Sequence, residues 1–219
     1  MAYVAPSILA ADFSKIEDEV LMMEGFGAQY IHLDVMDGTF VPNTTFGPEL
    51  VERIHGIHHM VNDVHLMVAD PVTNVIDFAK AGADILTVHY ESFACEKDLD
   101  DCIDLIHMLG KKAGVSVKPN TNIEVLQPFW KKMDLCLVMS VEPGKGGQAY
   151  LDSADQKLSW AKKMNQKHPD HHVLIEVDGG INGVTGPIAV AAGAEILVAG
   201  SYLFGKVDAK ERLEGLLAL

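Results

Sequence analysis

The chain has 219 residues, of which 48% are hydrophobic and 22% are charged, and this balance excludes disordered and fibrous proteins while suiting one domain or two small ones. Its 17 basic and 31 acidic residues give a net charge of −14, so the chain lacks the basic surface with which proteins bind nucleic acid. An acidic protein that handles an anionic substrate needs backbone dipoles or a metal ion at its binding site.

Eight short apolar runs that are rich in β-branched residues predict strands. Taken along the chain, the predicted strands are Val4–Leu9, Tyr30–Met36, Val61–Val68, Ile85–His89, Gly114–Lys118, Leu135–Val141, Val173–Val177 and Ile196–Ala199. Apolar residues recur at helical spacing in the segments between them, which indicates that strands and helices alternate.

The sequence also marks helix boundaries. Asp12 and Asp70 are candidate N-caps, and Pro71 stands where a first helical residue is expected. The junction Ala-Gly-Ala-Asp-Ile, which begins at Ala81, returns at Ala192 as Ala-Gly-Ala-Glu-Ile. Repetition of one βα unit is the simplest explanation of this pattern.

The spacing of the strands predicts the architecture. The first predicted strand starts at residue 4 and the eighth at residue 196. This spacing gives eight βα units of about 27 residues each and favours a closed barrel. We therefore predict an α/β protein, a single (β/α)8 TIM barrel with a parallel eight-stranded core that occupies residues 1–219 as one domain. A doubly wound open sheet is the alternative, but it usually has about five or six strands, and no Gly-x-Gly-x-x-Gly motif follows the first strand.

Nothing in the sequence suggests export or a membrane. The segment from Met1 to Ser7 lacks the basic stretch and long apolar run of a signal peptide, and no segment approaches the ~18 apolar residues of a membrane span. Cys95, Cys102 and Cys136 are too few and too scattered for a disulfide framework or a thiolate zinc site. We expect a cytoplasmic protein with reduced thiols.

Four polar residues stand near the C-terminal ends of predicted strands, where the active site of such a barrel lies. They are His32 and Asp34 on the second strand, His65 on the third and Asp178 after the seventh. His32 and Asp34 share a face, because residues two apart on a strand point the same way. Two imidazoles and two carboxylates suit zinc or a similar divalent ion. A single such residue is more often a hydrogen-bonded structural group, but four on inward faces favour a metal site.

Glycine-rich loops follow three of the strands. Glu142-Pro-Gly-Lys-Gly-Gly-Gln148 follows the sixth, Asp178-Gly-Gly180 the seventh and Gly200-Ser201 the eighth. Each loop alone reads as an ordinary turn. In a barrel, however, the loops after the seventh and eighth strands often bind phosphate through backbone N–H groups, so we favour a phosphate site.

Several longer motifs carry a resemblance to a known family. They are Ala5-Pro-Ser-Ile-Leu-Ala-Ala-Asp-Phe13, His32-Leu-Asp-Val-Met-Asp-Gly38, Phe40-Val-Pro-Asn43, Asp63-Val-His-Leu-Met67, Val141-Glu-Pro-Gly-Lys-Gly-Gly-Gln148 and Glu176-Val-Asp-Gly-Gly-Ile181. Along essentially the whole chain, they resemble the ribulose-phosphate 3-epimerase family. The resemblance implies a metal-dependent enzyme that interconverts D-ribulose 5-phosphate and D-xylulose 5-phosphate through an enediolate.

The resemblance also implies roles for individual residues. His32, Asp34, His65 and Asp178 would bind one divalent metal ion per subunit, and the two aspartates would exchange protons with the substrate. We expect zinc first, with iron, manganese and cobalt as alternatives, because the ligand types do not separate these metals. The other expected substrate contacts are Ser7, His65, Met36, Met67, Met139, Gly144, Lys145, Gly146, Gly147, Gly179, Gly180, Gly200 and Ser201.

Some features depart from the family or lie outside its pattern. Lys145 stands where the family commonly has Phe, and we hypothesise that its charge attracts the substrate phosphate. Lys118 is expected to form an ion pair with Glu176 inside the barrel. His89 ends the fourth predicted strand but falls outside the family's ligand set. The family often forms dimers or hexamers, so we expect a homo-oligomer.

Three alternative functions stay open. A 3-epimerase of a hexulose phosphate, such as allulose 6-phosphate, would use the same chemistry. Related phosphate-binding barrels are decarboxylases, but they typically carry Asp-x-Lys-x-x-Asp, whereas this chain has Asp63-Val-His65. A noncatalytic sugar-phosphate binding protein is the third alternative, and the presence of both aspartates argues against it.

Overall fold

A computed structural model describes residues 2–219 of the chain. Its eight strands are β1 (Tyr3–Pro6), β2 (Tyr30–Met36), β3 (Val61–Met67), β4 (Ile85–His89), β5 (Lys112–Val117), β6 (Leu135–Met139), β7 (Leu174–Asp178) and β8 (Ile196–Ala199). All neighbouring strands pair in parallel, in the order β1-β8-β7-β6-β5-β4-β3-β2. A parallel bridge between Ser7 and His32 brings β1 back to β2. The prediction of a (β/α)8 TIM barrel is confirmed.

The helices surround this barrel. The α-helices are α1 (Ile16–Gly25), α2 (Pro48–His55), α3 (Pro71–Ala81), α4 (Glu96–Met108), α5 (Ser153–Lys167), α6 (Thr185–Ala192) and α7 (Ala209–Leu217). Short 3₁₀ helices cover Ile8–Ala10, Phe13–Lys15, Tyr90–Ser92 and Ile123–Phe129. Across residues 2–219, no helix has the combination of length and apolarity that crossing a membrane requires.

The unit after β5 differs from the regular pattern. Its connection is the 3₁₀ helix Ile123–Phe129, which contains Pro128. Proline lacks the N–H that an α-helical hydrogen bond needs, so an α-helix is disfavoured at this point. The first strand is also shorter than the predicted Val4–Leu9, because the chain turns into a 3₁₀ helix directly after Ser7.

Local capping follows the sequence pattern. The Asp70 side chain accepts a hydrogen bond from the N–H of Thr73, and Pro71 begins α3. Asp12 caps the N–H of Ser14, but the helix it starts is a 3₁₀ turn that precedes α1. These carboxylates satisfy N–H groups that have no partner within the helix itself.

The inside of the barrel becomes more polar along its axis. The first residues of the even-numbered strands, Tyr30, Ile85, Leu135 and Ile196, belong to one buried apolar cluster. This matches the layers of four side chains from alternate strands that fill such barrels. Farther along the strands, polar side chains join the apolar ones at the inward positions, and the candidate site lies there.

Candidate active site

The ends of β2, β3 and β7 bring the four expected metal ligands together. Each of His32, Asp34, His65 and Asp178 offers one donor atom, and these atoms all lie within 4.8 Å of one another. Oδ1 of Asp34 lies 3.4 Å from Nε2 of His32 and 3.1 Å from Nδ1 of His65. The parallel pairing of β2 with β3 accounts for this, since it sets Asp34 directly opposite His65.

His32 is oriented by a carboxylate below the site. Its Nδ1 lies 2.6 Å from Oδ2 of Asp63, and both side chains are fully buried. The Nδ1–H group therefore donates to Asp63, and Nε2 of His32 is directed at Asp34. A carboxylate on the remote nitrogen is the common way in which proteins orient a metal-binding imidazole.

The donor set fits a divalent metal ion. Nε2 of His32 is buried and has no hydrogen-bond partner among residues 2–219. A buried polar atom without a partner is costly, and coordination of a cation would satisfy it. Two imidazole nitrogens and two carboxylate oxygens are ligands that zinc and neighbouring first-row metals accept. The cluster therefore fits a divalent metal ion.

The two candidate catalytic aspartates have opposite electrostatic environments. Burial favours a raised pKa for Asp34, but the imidazoles of His32 and His65 outweigh it, so the pKa of Asp34 lies well below its usual value. For Asp178, burial and then the nearby Asp34 carboxylate raise the pKa to about 6. Opposed shifts of this kind separate a proton acceptor from a proton donor.

Two further contacts shape the charge of the site. The hydroxyl of Ser7 donates a 2.6 Å hydrogen bond to Oδ2 of Asp34. Glu176 lies deeper, and burial followed by the Asp63 carboxylate raises its pKa well above the usual value. The low dielectric of the interior accounts for this second effect, because it disfavours two adjacent negative charges.

A cavity of about 400 Å³ opens above the cluster. Asp34 and Asp178 line it, whereas His32 and His65 are fully buried beneath it. The other expected substrate contacts that line the cavity are Ser7, Met36, Met67, Met139, Gly144, Lys145, Gly146, Gly147, Gly179, Gly180, Gly200 and Ser201. The structure thus places every expected substrate contact except His65 on the wall of one cavity.

The loop after β6 is held over the cavity by side-chain amides. Nδ2 of Asn43 donates a 2.7 Å hydrogen bond to the carbonyl oxygen of Gly144. Nε2 of Gln148 donates to the carbonyl oxygens of Glu142 and Lys145, each at 2.7 Å. The sequence motifs contain Asn43 and Gln148, but the pattern alone gave neither residue this role.

Gly180 is required by its backbone and by its surroundings. Its φ of +64° lies in the left-handed region, and a Cβ there would come within 2.5 Å of the backbone nitrogen of Tyr150. A glycine lets the loops after β6 and β7 approach this closely. The two loops therefore form one continuous wall of the cavity.

Two lysines near the site differ in their surroundings. Lys145 is exposed and is the only cationic side chain on the cavity wall within residues 2–219. Lys118, in contrast, forms no ion pair with Glu176, so that expectation is wrong. Its ammonium group lies 4.0 Å from the centre of the Phe40 ring. In the strand register, Leu137 of β6 pairs with Ser116 of β5 on one side and with Glu176 of β7 on the other. Lys118 lies two residues beyond Ser116, after the end of β5, and is therefore too far along the barrel axis to pair with Glu176.

Sequence reasoning missed the groups that support the site from below and from the side. Asp63 shares a strand face with His65 at a spacing of two residues, and this spacing could have indicated a role for it. His89 is fully buried, and Nε2 of His89 lies 2.8 Å from Nε2 of His65. Burial lowers the pKa of His89 to about 4, so this imidazole is neutral near neutral pH.

The barrel and the acid–base groups at the ends of its strands define the class, a TIM-barrel enzyme. Comparison with known families identifies the kind of TIM-barrel enzyme, because the model of the Ribulose-phosphate 3 epimerase family matches residues 3–204. The chain belongs to this family. It is accordingly an epimerase, an enzyme of the isomerase class.

Named relatives agree with the family match. A ribulose-phosphate 3-epimerase of Bacillus subtilis (strain 168) is 46% identical over 213 residues, which cover 97% of each chain. A chloroplastic ribulose-5-phosphate-3-epimerase of Arabidopsis thaliana is 42% identical over 98% of this chain and 76% of its own length. Both proteins are similar to this chain over nearly its whole length.

Solved structures support the fold. A mutant tryptophan synthase α-subunit from Pyrococcus furiosus has a TM-score of 0.72 at 16% identity, with 100% of both chains covered. A 3-hexulose-6-phosphate synthase from Salmonella typhimurium has a TM-score of 0.65 at 14% identity, with 99% of this chain and 96% of that chain covered. At this level of identity the likeness concerns the fold alone.

Proposed function

We propose that the protein is a metal-dependent 3-epimerase that interconverts D-ribulose 5-phosphate and D-xylulose 5-phosphate. Family membership and the names of its relatives support this substrate. The observation that carries the mechanism is the convergence of Asp34 and Asp178, above two buried imidazoles, on the floor of one cavity. Together they supply acid–base groups where a bound sugar phosphate would react.

Epimerisation next to a ketone needs two acid–base groups. One removes the proton from carbon 3, the other delivers a proton to the opposite face, and a planar enediolate lies between the two steps. Asp34 lies on β2 and Asp178 ends β7, three strands away around the barrel, so the two carboxyls reach the cavity from separate strands.

His32, Asp34, His65 and Asp178 would hold one divalent metal ion, with zinc as the first expectation and iron, manganese and cobalt as alternatives. When bound, the ion supplies electrostatic stabilisation of the negative charge that develops on the substrate oxygens. The chain's own contribution is to fix the donor atoms. Asp63 holds the ring of His32, and the hydroxyl of Ser7 holds the carboxylate of Asp34.

The glycine-rich part of the cavity wall suits the substrate phosphate. The loops at Gly144–Gly147, Gly179-Gly180 and Gly200-Ser201 line it, and glycine permits close approach of backbone N–H groups to an anion. Lys145 adds the positive charge that an acidic protein otherwise lacks at this point. Met36, Met67 and Met139, which also line the cavity, would form an apolar, polarizable cover over the substrate.

The organisation of the protein is part of the proposal. We propose that residues 1–219 form one domain, because a single sheet includes strands from Tyr3 to Ala199. The resemblance to the family supports a homo-oligomer, a dimer or a hexamer, and three free cysteines suit a reducing cytoplasm. Sedimentation of the purified protein would test the oligomeric state, and a monomer would contradict it.

The substrate is tested by turnover. The metal-loaded protein should be assayed with D-ribulose 5-phosphate and with allulose 6-phosphate, with elemental analysis of the same sample. We expect the larger kcat/KM for the pentulose phosphate and about one equivalent of divalent metal. A preference for the hexulose phosphate would assign the alternative substrate. Absence of turnover with either sugar, in a folded and metal-loaded sample, would indicate a binding protein instead.

A further inference from the structure

His65 makes a second contact on the side away from Asp34. Its Nε2 lies 2.8 Å from Nε2 of His89, the last residue of β4, and both imidazoles are fully buried. The ring centres are 5.0 Å apart. Two ring nitrogens at this distance share one hydrogen, so one must carry the proton and the other must accept it.

His89 in turn contacts a fixed carboxylate. Its Nδ1 lies 3.3 Å from Oε2 of Glu91. The other oxygen of Glu91, Oε1, accepts a 2.7 Å hydrogen bond from the backbone N–H of Lys118 and a second from the hydroxyl of Thr121. Glu91 is thereby attached to the segment that follows β5, and its free oxygen faces His89.

The ionised carboxylate of Glu91 fixes the direction of both hydrogen bonds, the one from His89 to Glu91 and the one between His65 and His89. An ionised carboxylate only accepts, so Nδ1 of His89 must carry a hydrogen that it donates to Glu91. With that hydrogen on Nδ1, Nε2 of the fully buried His89 ring keeps its lone pair and accepts from Nε2–H of His65. The remaining lone pair of His65 is consequently on Nδ1, the atom that lies 3.1 Å from Asp34 and 4.0 Å from Asp178.

We propose that His89 and Glu91 are positioning residues that hold His65 in its Nε2–H tautomer, so that Nδ1 is presented to the divalent cation of the proposed function. The inference depends on that function for the presence of the cation. His65 thus has the same type of support as His32, whose Nδ1 donates to Asp63. The difference is that His32 contacts its carboxylate, Asp63, directly, whereas His89 lies between His65 and the carboxylate of Glu91.

The packing of the surrounding side chains keeps the chain of hydrogen bonds in place. The Phe40 ring covers His89, with ring centres 4.8 Å apart, and the ammonium group of Lys118 lies on the Phe40 ring. The imidazole of His89 therefore has little freedom to rotate. Fixed orientation distinguishes a positioning residue from a histidine that only fills space.

Glu91→Gln provides an isosteric test. The amide oxygen can keep the hydrogen bonds from Lys118 and Thr121, which places the NH₂ group against Nδ1 of His89. Nδ1 must then accept, Nε2 of His89 must donate, and the hydrogen on His65 moves to Nδ1. In this tautomer a hydrogen occupies Nδ1 of His65, so that nitrogen cannot coordinate a cation. The substitution removes no ligand residue and creates no cavity.

The measurement is the affinity for Zn²⁺, by competition with a chromophoric chelator, on the full-length protein. We expect Glu91→Gln to weaken Zn²⁺ binding about 10- to 100-fold. His89→Phe, which keeps an aromatic ring but no acceptor, should also weaken it. The matched control is Glu124→Gln, an exposed carboxylate on the 3₁₀ helix after β5, and its affinity should equal that of the wild type.

Nitrogen-15 NMR of the imidazole rings gives a second readout that a purely structural role would not change. His65 should be the Nε2–H tautomer in the wild type and the Nδ1–H tautomer in Glu91→Gln. Unchanged Zn²⁺ affinity and an unchanged tautomer in Glu91→Gln would overturn the inference, even if the melting temperature fell. Failure of the wild type to bind Zn²⁺, Fe²⁺, Mn²⁺ or Co²⁺ would instead contradict the proposed function.

Discussion

Nδ1 of His32 lies 2.6 Å from Oδ2 of Asp63, and neither side chain is exposed to solvent. This hydrogen bond connects β2 to β3 beneath the site and directs Nε2 of His32 toward Asp34. An aspartate that does not line the cavity thus controls the orientation of one proposed ligand.

Asp63→Asn is therefore expected to weaken Zn²⁺ binding about 10- to 100-fold, because an amide NH₂ group against Nδ1 of His32 favours the wrong tautomer. Competition with a chelator measures the affinity. Asp77→Asn, which changes an exposed carboxylate on α3, is the control and should not affect binding. An unchanged affinity for Asp63→Asn would contradict the role of this hydrogen bond.

Gly180→Ala should destabilise the protein more than Gly147→Ala. Both glycines have positive φ, +64° and +73°, but a Cβ at Gly147 meets nothing within 4 Å, whereas one at Gly180 meets the backbone of Tyr150. We expect a loss of about 1 kcal/mol for Gly147→Ala and more than about 2 kcal/mol for Gly180→Ala. Urea unfolding measures both, and equal losses would show that the loops do not meet at Gly180.

Lys145→Ala should raise KM for the sugar phosphate by roughly tenfold and change kcat little, because removal of a charge that binds substrate and transition state equally affects binding alone. Steady-state kinetics measure both constants. Lys163→Ala, an exposed lysine on α5, is the control. A KM equal to that of the wild type would rule out a phosphate contact for Lys145.

The three cysteines should differ in reactivity. Cys95 is exposed, whereas burial raises the pKa of Cys102 and of Cys136 to about 12 each. The thiolate is the reactive form, so a thiol reagent at pH 8 should label one cysteine per native chain and three after denaturation. Rapid labelling of two or more cysteines in the native protein would contradict the burial of Cys102 on α4 and of Cys136 on β6.

Sequence reasoning predicted the architecture well because the barrel repeats. Most units have a buried strand followed by an α-helix, so a similar period recurs along the chain, and every predicted strand overlaps an observed one. The boundaries were less predictable. Ser7 to Leu9 continues the apolar run of β1, yet the backbone turns there, and Pro128 turns the helix after β5 into a 3₁₀ segment.

The candidate site was predictable where it depends on alternation along one strand. His32 and Asp34 share a face within β2, and the pairing of β2 with β3 adds His65. Contacts that depend on the relative height of strands across the barrel were not predictable. The expected pair of Lys118 with Glu176 fails for this reason, and the contact of His89 with His65 depends on the side-chain geometry at the ends of β3 and β4.

The central claim is that Asp34 and Asp178 transfer protons on opposite faces of carbon 3. It is tested most directly by NMR in D₂O, following loss of the carbon-3 proton from each epimer with Asp34→Asn and Asp178→Asn, with metal content measured on the same samples. We expect each variant to lose epimerisation by a factor on the order of 10³. Each should also exchange the proton of at most one epimer, a different one for each variant. Near-normal epimerisation by either variant, or exchange of the same epimer by both, would contradict the two-aspartate mechanism.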